Sequence, residues 1–264
     1  HEVYSLLQDH RGAMWIATDQ GLYHYDGYAF SSYRHPEMVN LSVFGLTNDD
    51  QERILCFNLS GQVFRYEAEI DSLELVFQVP DSLLTMTTEV FPLDGNRLFI
   101  SSQRAFVVEE NGAITLLPLP LANWWNPQTC QTDKGEVWMI AMGADSVAVF
   151  DGKQLTRQEV KVEGDFNIDS LGNLGMFYAH DSVYVGAQFT ENFFVWRNDR
   201  FCRVPMLFPK DLDEKMHALH RDQSQRVWWA SLDRGIWVFD AKGESQFGSH
   251  KVFDRNLFSS FTED

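Results

Sequence analysis

Carboxylates, histidines and cysteines are the groups that could do chemistry here, and their spacing limits what each could do. Asp165-Phe166-Asn167-Ile168-Asp169 opens like a calcium loop, with oxygen donors at alternate positions. Such a loop needs a glycine at its turn and a bidentate glutamate at its end; Ser170 and Met176 stand there instead. The segment therefore reads as polar residues at the entry to a strand. His217-Ala218-Leu219-His220 brings two imidazoles within zinc-like distance along the chain. On a strand, however, side chains three apart face opposite ways, which disfavours chelation by that pair. Cys56, Cys130 and Cys202 lie in separate segments without CxxC spacing, and an odd count gives little support for a disulfide framework. Cys56, inside Ile54-Leu55-Cys56-Phe57, reads as a small buried hydrophobe. There is no GxSxG, no HExxH, no phosphate-cradling loop and no dinucleotide fingerprint. No catalytic residue, metal or cofactor is expected.

Asp9, Asp49 and Asp222 each lead a tight turn, which gives them a structural role as acceptors for turn amides. Those turns frame the elements. Asp9 to Gly27 reads DHRGAMWIATDQGLYHYDG: short aromatic and β-branched runs bounded by Gly and Asp, the pattern of strands joined by tight turns. With Val3 to Leu7 before it and Tyr28 to Phe30 after it, the segment is a four-stranded meander. The pattern returns at Asp222 to Asp240 and, more faintly, at Asp49 to Tyr66, Asn96 to Glu110, Asp133 to Trp138 and His180 to Gly186. Its anchors Trp15, Leu55, Phe99, Trp138, Tyr184 and Trp228 are spaced by roughly 40 to 46 residues, as for one four-stranded propeller blade. The sequence thus predicts an all-β propeller with blades at about 1–39, 40–82, 83–124, 125–163, 164–211 and 212–255. Leu116 to Pro127, with its prolines, reads as an extended connector, and Phe166 to Tyr178, interrupted by Gly172 and Gly175, as an irregular inner strand.

The run Val3-x-Ser-Leu-Leu-Gln-Asp-x-x-Gly-x-x-Trp-Ile-x-Thr-x-x-Gly-Leu-x-x-Tyr-Asp-Gly27 resembles the two-component regulator propeller repeat. Val43-Phe44-Gly45-Leu46 through Phe64-Arg65-Tyr66 is similar to the second repeat of bacterial sensor kinases that carry this propeller. The resemblance implies the periplasmic sensor of a membrane-bound histidine kinase or hybrid regulator. In that family a small β-sandwich, a membrane helix and cytoplasmic signalling domains follow. Those domains lie outside these residues, so no kinase activity is implied for this segment.

Composition agrees with a β domain. All 264 residues fit one propeller, and 14 % aromatic residues suit sheets packed face to face. A net charge of −17 argues against nucleic acid and against docking on anionic lipid, since both need clustered Lys and Arg. No apolar run approaches the roughly 20 residues of a membrane span, and the chain opens on a strand rather than a signal peptide. The expectation is a mature or excised piece, reaching the membrane only through segments not present here. Leu257 to Asp264 overlays Val3 to Asp9, which predicts the first strand of a further repeat and a longer, seven-bladed parent.

The remaining functional feature is a binding face. Turns between second and third strands lie on the same side as the links between blades. They gather Asp19 and Gln20, Asn58 and Ser60, Gln103 and Arg104, Asp145, Glu191 and Asn192, and Asp233 and Arg234. Trp124 and Trp125 lie on an inter-blade link and either join this face or plug a gap between blades. Mixed donors and acceptors beside flat aromatics suit a carbohydrate or another small polar ligand. The expected function is non-catalytic ligand sensing, with a homodimer as a possible assembly. The alternatives are a propeller lyase or glycoside hydrolase, which would need a close carboxylate pair or a His beside a metal, and a protein-docking scaffold.

Overall fold

Met14-Trp15-Ile16-Ala17-Thr18 is too short for a stable helix and alternates between two packed faces, so it forms a strand flanked by its neighbours in sequence. The same logic repeats along the chain. The computed structural model describes residues 2–84, 89–95, 97–101, 104–118, 128–140, 146–162, 174–179, 181–187, 193–203, 216–221, 226–231, 235–239 and 245–248. Among these, every sheet is a four-stranded antiparallel meander in chain order.

The chain divides after Pro118 into two compact units. The first unit holds β1 (Val3–Gln8), β2 (Met14–Thr18), β3 (Gly21–Tyr25) and β4 (Phe30–Tyr33) in one sheet. Its second sheet is β5 (Val43–Asn48), β6 (Ile54–Asn58), β7 (Gln62–Glu67) and β8 (Ser72–Gln78), and its third is β9 (Glu89–Leu93), β10 (Arg97–Ser101), β11 (Ala105–Val108) and β12 (Ile114–Leu116). The second unit holds β13 (Gln128–Gln131), β14 (Val137–Ile140), β15 (Ser146–Phe150) and β16 (Leu155–Glu159). It continues with β17 (Leu174–Ala179), β18 (Ser182–Ala187), β19 (Phe193–Arg197) and β20 (Arg200–Arg203), then β21 (Met216–Arg221), β22 (Val227–Ser231), β23 (Gly235–Phe239) and β24 (Ser245–Gly248).

All six sequence anchors fall on second strands: Trp15 on β2, Leu55 on β6, Phe99 on β10, Trp138 on β14, Tyr184 on β18 and Trp228 on β22. The first five are buried, and Trp228 is half-buried with the Arg226 guanidinium 5.4 Å from its ring centroid. Trp15, Leu55 and Trp138 each fill the gap towards the next sheet. Trp15 packs with Ile54, Cys56 and Phe64 of the second sheet, and Leu55 with Leu98, Ile100 and Phe106 of the third. In the second unit Trp138 packs with Val183, Val185 and Phe194 and meets the Trp196 ring edge-on at 5.5 Å.

Asp9 does the structural work its position implies. Its Oδ1 accepts the Arg11 and Ala13 amides at 2.9 and 3.0 Å, and its Oδ2 accepts the Trp15 indole N–H at 3.1 Å. Partial burial pushes the Asp9 carboxyl up. The hydrogen bonds from Trp15, Ala13 and Arg11 outweigh that and hold it below the usual carboxylate range. Asp49 repeats the turn, with its Oδ1 accepting the Gln51 and Arg53 amides at 2.9 Å each and its Oδ2 accepting Arg53 Nε at 2.7 Å. Asp222 lies outside the described residues. Cys56, Cys130 and Cys202 are thiols rather than disulfides, and burial pushes the Cys56 thiol up to about 12.

The β5–β6 turn carries a flaw that the turns at Gly12 and Gly135 avoid. Its fourth residue must take a left-handed backbone, and Gly12 and Gly135 do so at φ 82° and 78°. In the second sheet Glu52 occupies this place at φ 59°. A side chain there costs about 1–2 kcal/mol, offset in part by the lower unfolded-state entropy of a non-glycine. The Glu52 carboxylate contributes only an exposed contact to His10 at 3.7 Å, which is worth little. Glu52→Gly should raise stability by about 0.5–1 kcal/mol in urea unfolding.

One expectation needs correction. The inner strand of the fifth sheet is regular over its described part: β17 runs in unbroken register with β18, and Gly175 lies opposite Gly186. The glycines do not interrupt the ladder because both backbones keep their pairing where neither has a side chain to place. The calcium-loop-like segment Asp165 to Asp169, most of the proline connector, the final strand Leu257 to Asp264 and Gly172 lie outside the described residues. His217 and His220 sit on β21, the first strand of its sheet, as the repeat requires.

Candidate functional site

The β2–β3 turn is built by Thr18, which is buried. Its Oγ1 accepts the Gln20 amide at 3.0 Å and donates to the Gly21 carbonyl at 2.9 Å. That leaves Asp19 and Gln20 half-buried at the tip. Asp19 is fastened to the chain start: its Oδ1 accepts the Glu2 amide at 3.1 Å, and its own N–H donates to the Glu2 carbonyl at 3.2 Å. Gln20 Nε2 donates to Asp19 Oδ2 at 3.1 Å, and the Gln20 carbonyl accepts Arg34 Nη2 at 3.2 Å. The two residues form one polar edge with the link into β5.

The β6–β7 turn uses a different residue for the same job. Asn58 takes the place of Thr18 and is 1 % exposed. Its Oδ1 accepts the Ser60 and Gln62 amides at 3.1 and 3.0 Å, and its Nδ2 donates to the Asn40 carbonyl and to Gln62 Oε1, both at 3.0 Å. Gln62 in turn donates to the Glu37 carbonyl at 2.7 Å and accepts the Val39 amide at 2.8 Å. Asn58 is therefore a turn residue that stitches down the inter-blade link, not a ligand contact as its loop position implied. A buried amide with every group satisfied has nothing left to offer a solute. Ser60 stays at the tip, and Arg104 is exposed at the start of β11. Gln103, Trp124, Trp125, Asp145, Glu191, Asn192, Asp233 and Arg234 lie outside the described residues.

The structure adds a feature at this end that the loop reading passed over. The register of β1 against β2 shifts between Val3 and Ser5, and that of β5 against β6 shifts between Val43 and Gly45. Each shift makes a bulge whose extra residue is a ring, Tyr4 and Phe44. Bulges bend a strand and re-aim a side chain, commonly at sheet edges and beside sites. The two rings stack across the sheets with centroids 4.2 Å apart and planes 15° apart. The Tyr4 hydroxyl donates to Glu2 Oε2 at 2.7 Å. This hydrogen bond, with desolvation and the Glu2 and Asp19 charges, raises the phenol pKa and keeps the hydroxyl protonated at neutral pH. Gln20, Asp19, Glu2 and Tyr4 thus form a continuous polar edge ending on an aromatic pair. The third such bulge lies between Met216 and Ala218 in β21, at His217. The sequence does hold this signal: Val3-Tyr4-Ser5-Leu6, Val43-Phe44-Gly45-Leu46 and Met216-His217-Ala218-Leu219 each place a ring before a small residue and a leucine.

Comparison with known proteins agrees with this architecture. Residues 1–20 match the family model of the two component regulator propeller. No curated protein matches the chain by sequence. Among solved structures, the extracellular domain of BT4673 from B. thetaiotaomicron, assigned to a hybrid two component system, superposes with a TM-score of 0.73 at 15% identity, over 98% of this chain and 37% of that one. The corresponding domain of BT3049 from the same organism gives 0.65 at 17% identity, over 97% and 36%. Virginiamycin B lyase from Staphylococcus aureus gives 0.71 at 11% identity, over 92% of this chain and 83% of that one. The chain is all-β and built of four-stranded propeller blades, and it spans little more than a third of those two extracellular domains.

Proposed function

We propose that this chain is a non-catalytic, extracytoplasmic ligand-sensing domain of a two-component signalling protein. Its ligand is a carbohydrate or another small polar molecule, held at the sheet end that carries Asp19, Gln20 and Arg104. The observation that carries this reading is the regulator-propeller match at residues 1–20, which covers β1, β2 and the Asp19–Gln20 tip. The extracellular-domain likenesses support placement outside the cytoplasm, and the periplasm is the compartment we assign. The chemistry of the site supports the ligand class: the polar edge offers donors and acceptors for hydroxyls, while the Tyr4–Phe44 pair offers an apolar ring face. Gln103, Trp124, Trp125, Asp145, Asp233 and Arg234 are proposed as further ligand contacts.

Calorimetry with a panel of neutral and acidic oligosaccharides tests this, with chromatography of the recovered ligand. Saturable binding and an intact ligand are expected, and a cleaved ligand would instead support a lyase or hydrolase. Arg104→Ala should weaken binding about tenfold, with the melting temperature within a degree or two of wild type, because an exposed charge contributes little to stability, and Arg234→Ala should weaken binding likewise. Binding indifferent to both substitutions would place the ligand elsewhere.

A further inference from the structure

The opposite end of the first unit's sheets holds a cleft of about 390 Å³ between its second and third sheets. Its floor is Leu55, Leu98 and Val108, and its rim carries Asp49, Arg53 and Arg65. The repeat explains why it exists. Between the first and second sheets the equivalent space is full. Trp15 pairs with His24, lies 4.6 Å from the Tyr66 ring, and gives its indole N–H to Asp9. Between the fourth and fifth sheets it is full again: Trp138 meets Trp196 and gives its indole N–H to Glu136 Oε2 at 3.1 Å.

Between the second and third sheets the same positions hold smaller groups. Leu55 pairs with Arg65 as Trp15 pairs with His24. Val108 follows the partner of Phe99 on β11, just as Tyr66 follows the partner of Leu55 on β7. A leucine and a valine thus stand where an indole and a phenol stand one sheet earlier. Asp49, the counterpart of Asp9, has no indole to bind, and Arg53 Nε occupies its Oδ2 instead. Arg65 is held at the rim by Glu67 and by Glu74, the latter at 2.8 Å.

The geometry points to a second binding site in this cleft, for a planar aromatic ligand of one or two fused rings bearing an N–H or O–H donor. The ring takes the place of the missing indole between Leu55 and Val108. Its donor shares Asp49 Oδ2 with Arg53, since a carboxylate oxygen can accept two hydrogen bonds. The Arg53 and Arg65 guanidiniums at the rim favour a π face over an aliphatic one. The size of the cleft falls within the range of roughly 300–1,000 Å³ usual for small-molecule sites. This site stands apart from the sensing face and does not depend on it.

The probe is indole, with 1-methylindole and cyclohexanol as controls, titrated into the whole chain by calorimetry or by protein-observed NMR. One saturable site for indole is expected, with 1-methylindole at least threefold weaker and cyclohexanol weaker still. Leu55→Trp supplies the missing ring from the chain and should lower indole affinity at least tenfold, while Arg104→Ala should leave it unchanged. If Leu55→Trp does not fold, crystals of the wild type soaked with 5-bromoindole give the answer through bromine anomalous scattering between Leu55 and Val108. No saturable indole binding, equal affinity in folded Leu55→Trp, or bromine found only elsewhere would overturn the assignment.

Discussion

Trp15→Ala should destabilise the protein by about 3–5 kcal/mol, read as a large fall in the urea midpoint. The indole is 2 % exposed and wedged between the first two sheets, against His24 at 4.5 Å, Tyr66 at 4.6 Å and Tyr33 at 5.5 Å. Its removal opens a cavity lined by rings that cannot easily close on it. The Tyr33 and Tyr66 hydroxyls are both tied to Asp71 Oδ1, at 2.7 and 2.8 Å. It also strips Asp9 Oδ2 of its indole donor. Trp15→Phe keeps most of the packing and loses the donor, so it should cost about 1–2 kcal/mol. A loss below about 1 kcal/mol for Trp15→Ala would mean that the blades do not depend on their anchors.

Gly45→Ala should cost about 2–3 kcal/mol, although it adds one methyl group. A Cβ at Gly45 would fall 2.0 Å from Phe57 Cζ, because the Phe57 ring lies flat over its cross-strand partner. Phe57 is a member of the core between the second and third sheets and is only 9 % exposed, so the ring has no free space to enter. The cause is steric, and Phe57→Leu in the same chain should recover part of the loss. Urea unfolding of both single variants and the double gives that coupling directly. Gly45 also follows the bulged Phe44, so Gly45→Ala should weaken binding at the sensing face along with stability.

The repeat was legible because two local signals coincide in it. A turn led by Asp9 or Asp49 and an anchor six residues later are both encoded within one short segment, so Trp15, Leu55, Phe99, Trp138, Tyr184 and Trp228 could be aligned without any tertiary information. What was not legible depends on contacts between segments. Asn58 looked like a loop donor, yet it is buried because it bonds the Asn40 carbonyl and Gln62, which in turn bonds the Glu37 carbonyl. The Tyr4 and Phe44 bulges are a matter of register between strands, so their shared run of ring, small residue and leucine gains its meaning only once that register is known. The Leu55 cleft needs three facts at once: a small anchor, a small residue on the next sheet, and an arginine in place of the indole donor.

The central claim is that an intact ligand is held at the end of the blades carrying Asp19. Hydrogen–deuterium exchange with and without a saturating oligosaccharide, identified from the calorimetric panel, tests it most directly. The account predicts slowed exchange at residues 2–5, 19–21 and 40–45, no change at the turns 49–53 and 109–112, and quantitative recovery of the unaltered oligosaccharide. Protection confined to those opposite turns, or recovery of a cleaved product, would contradict it.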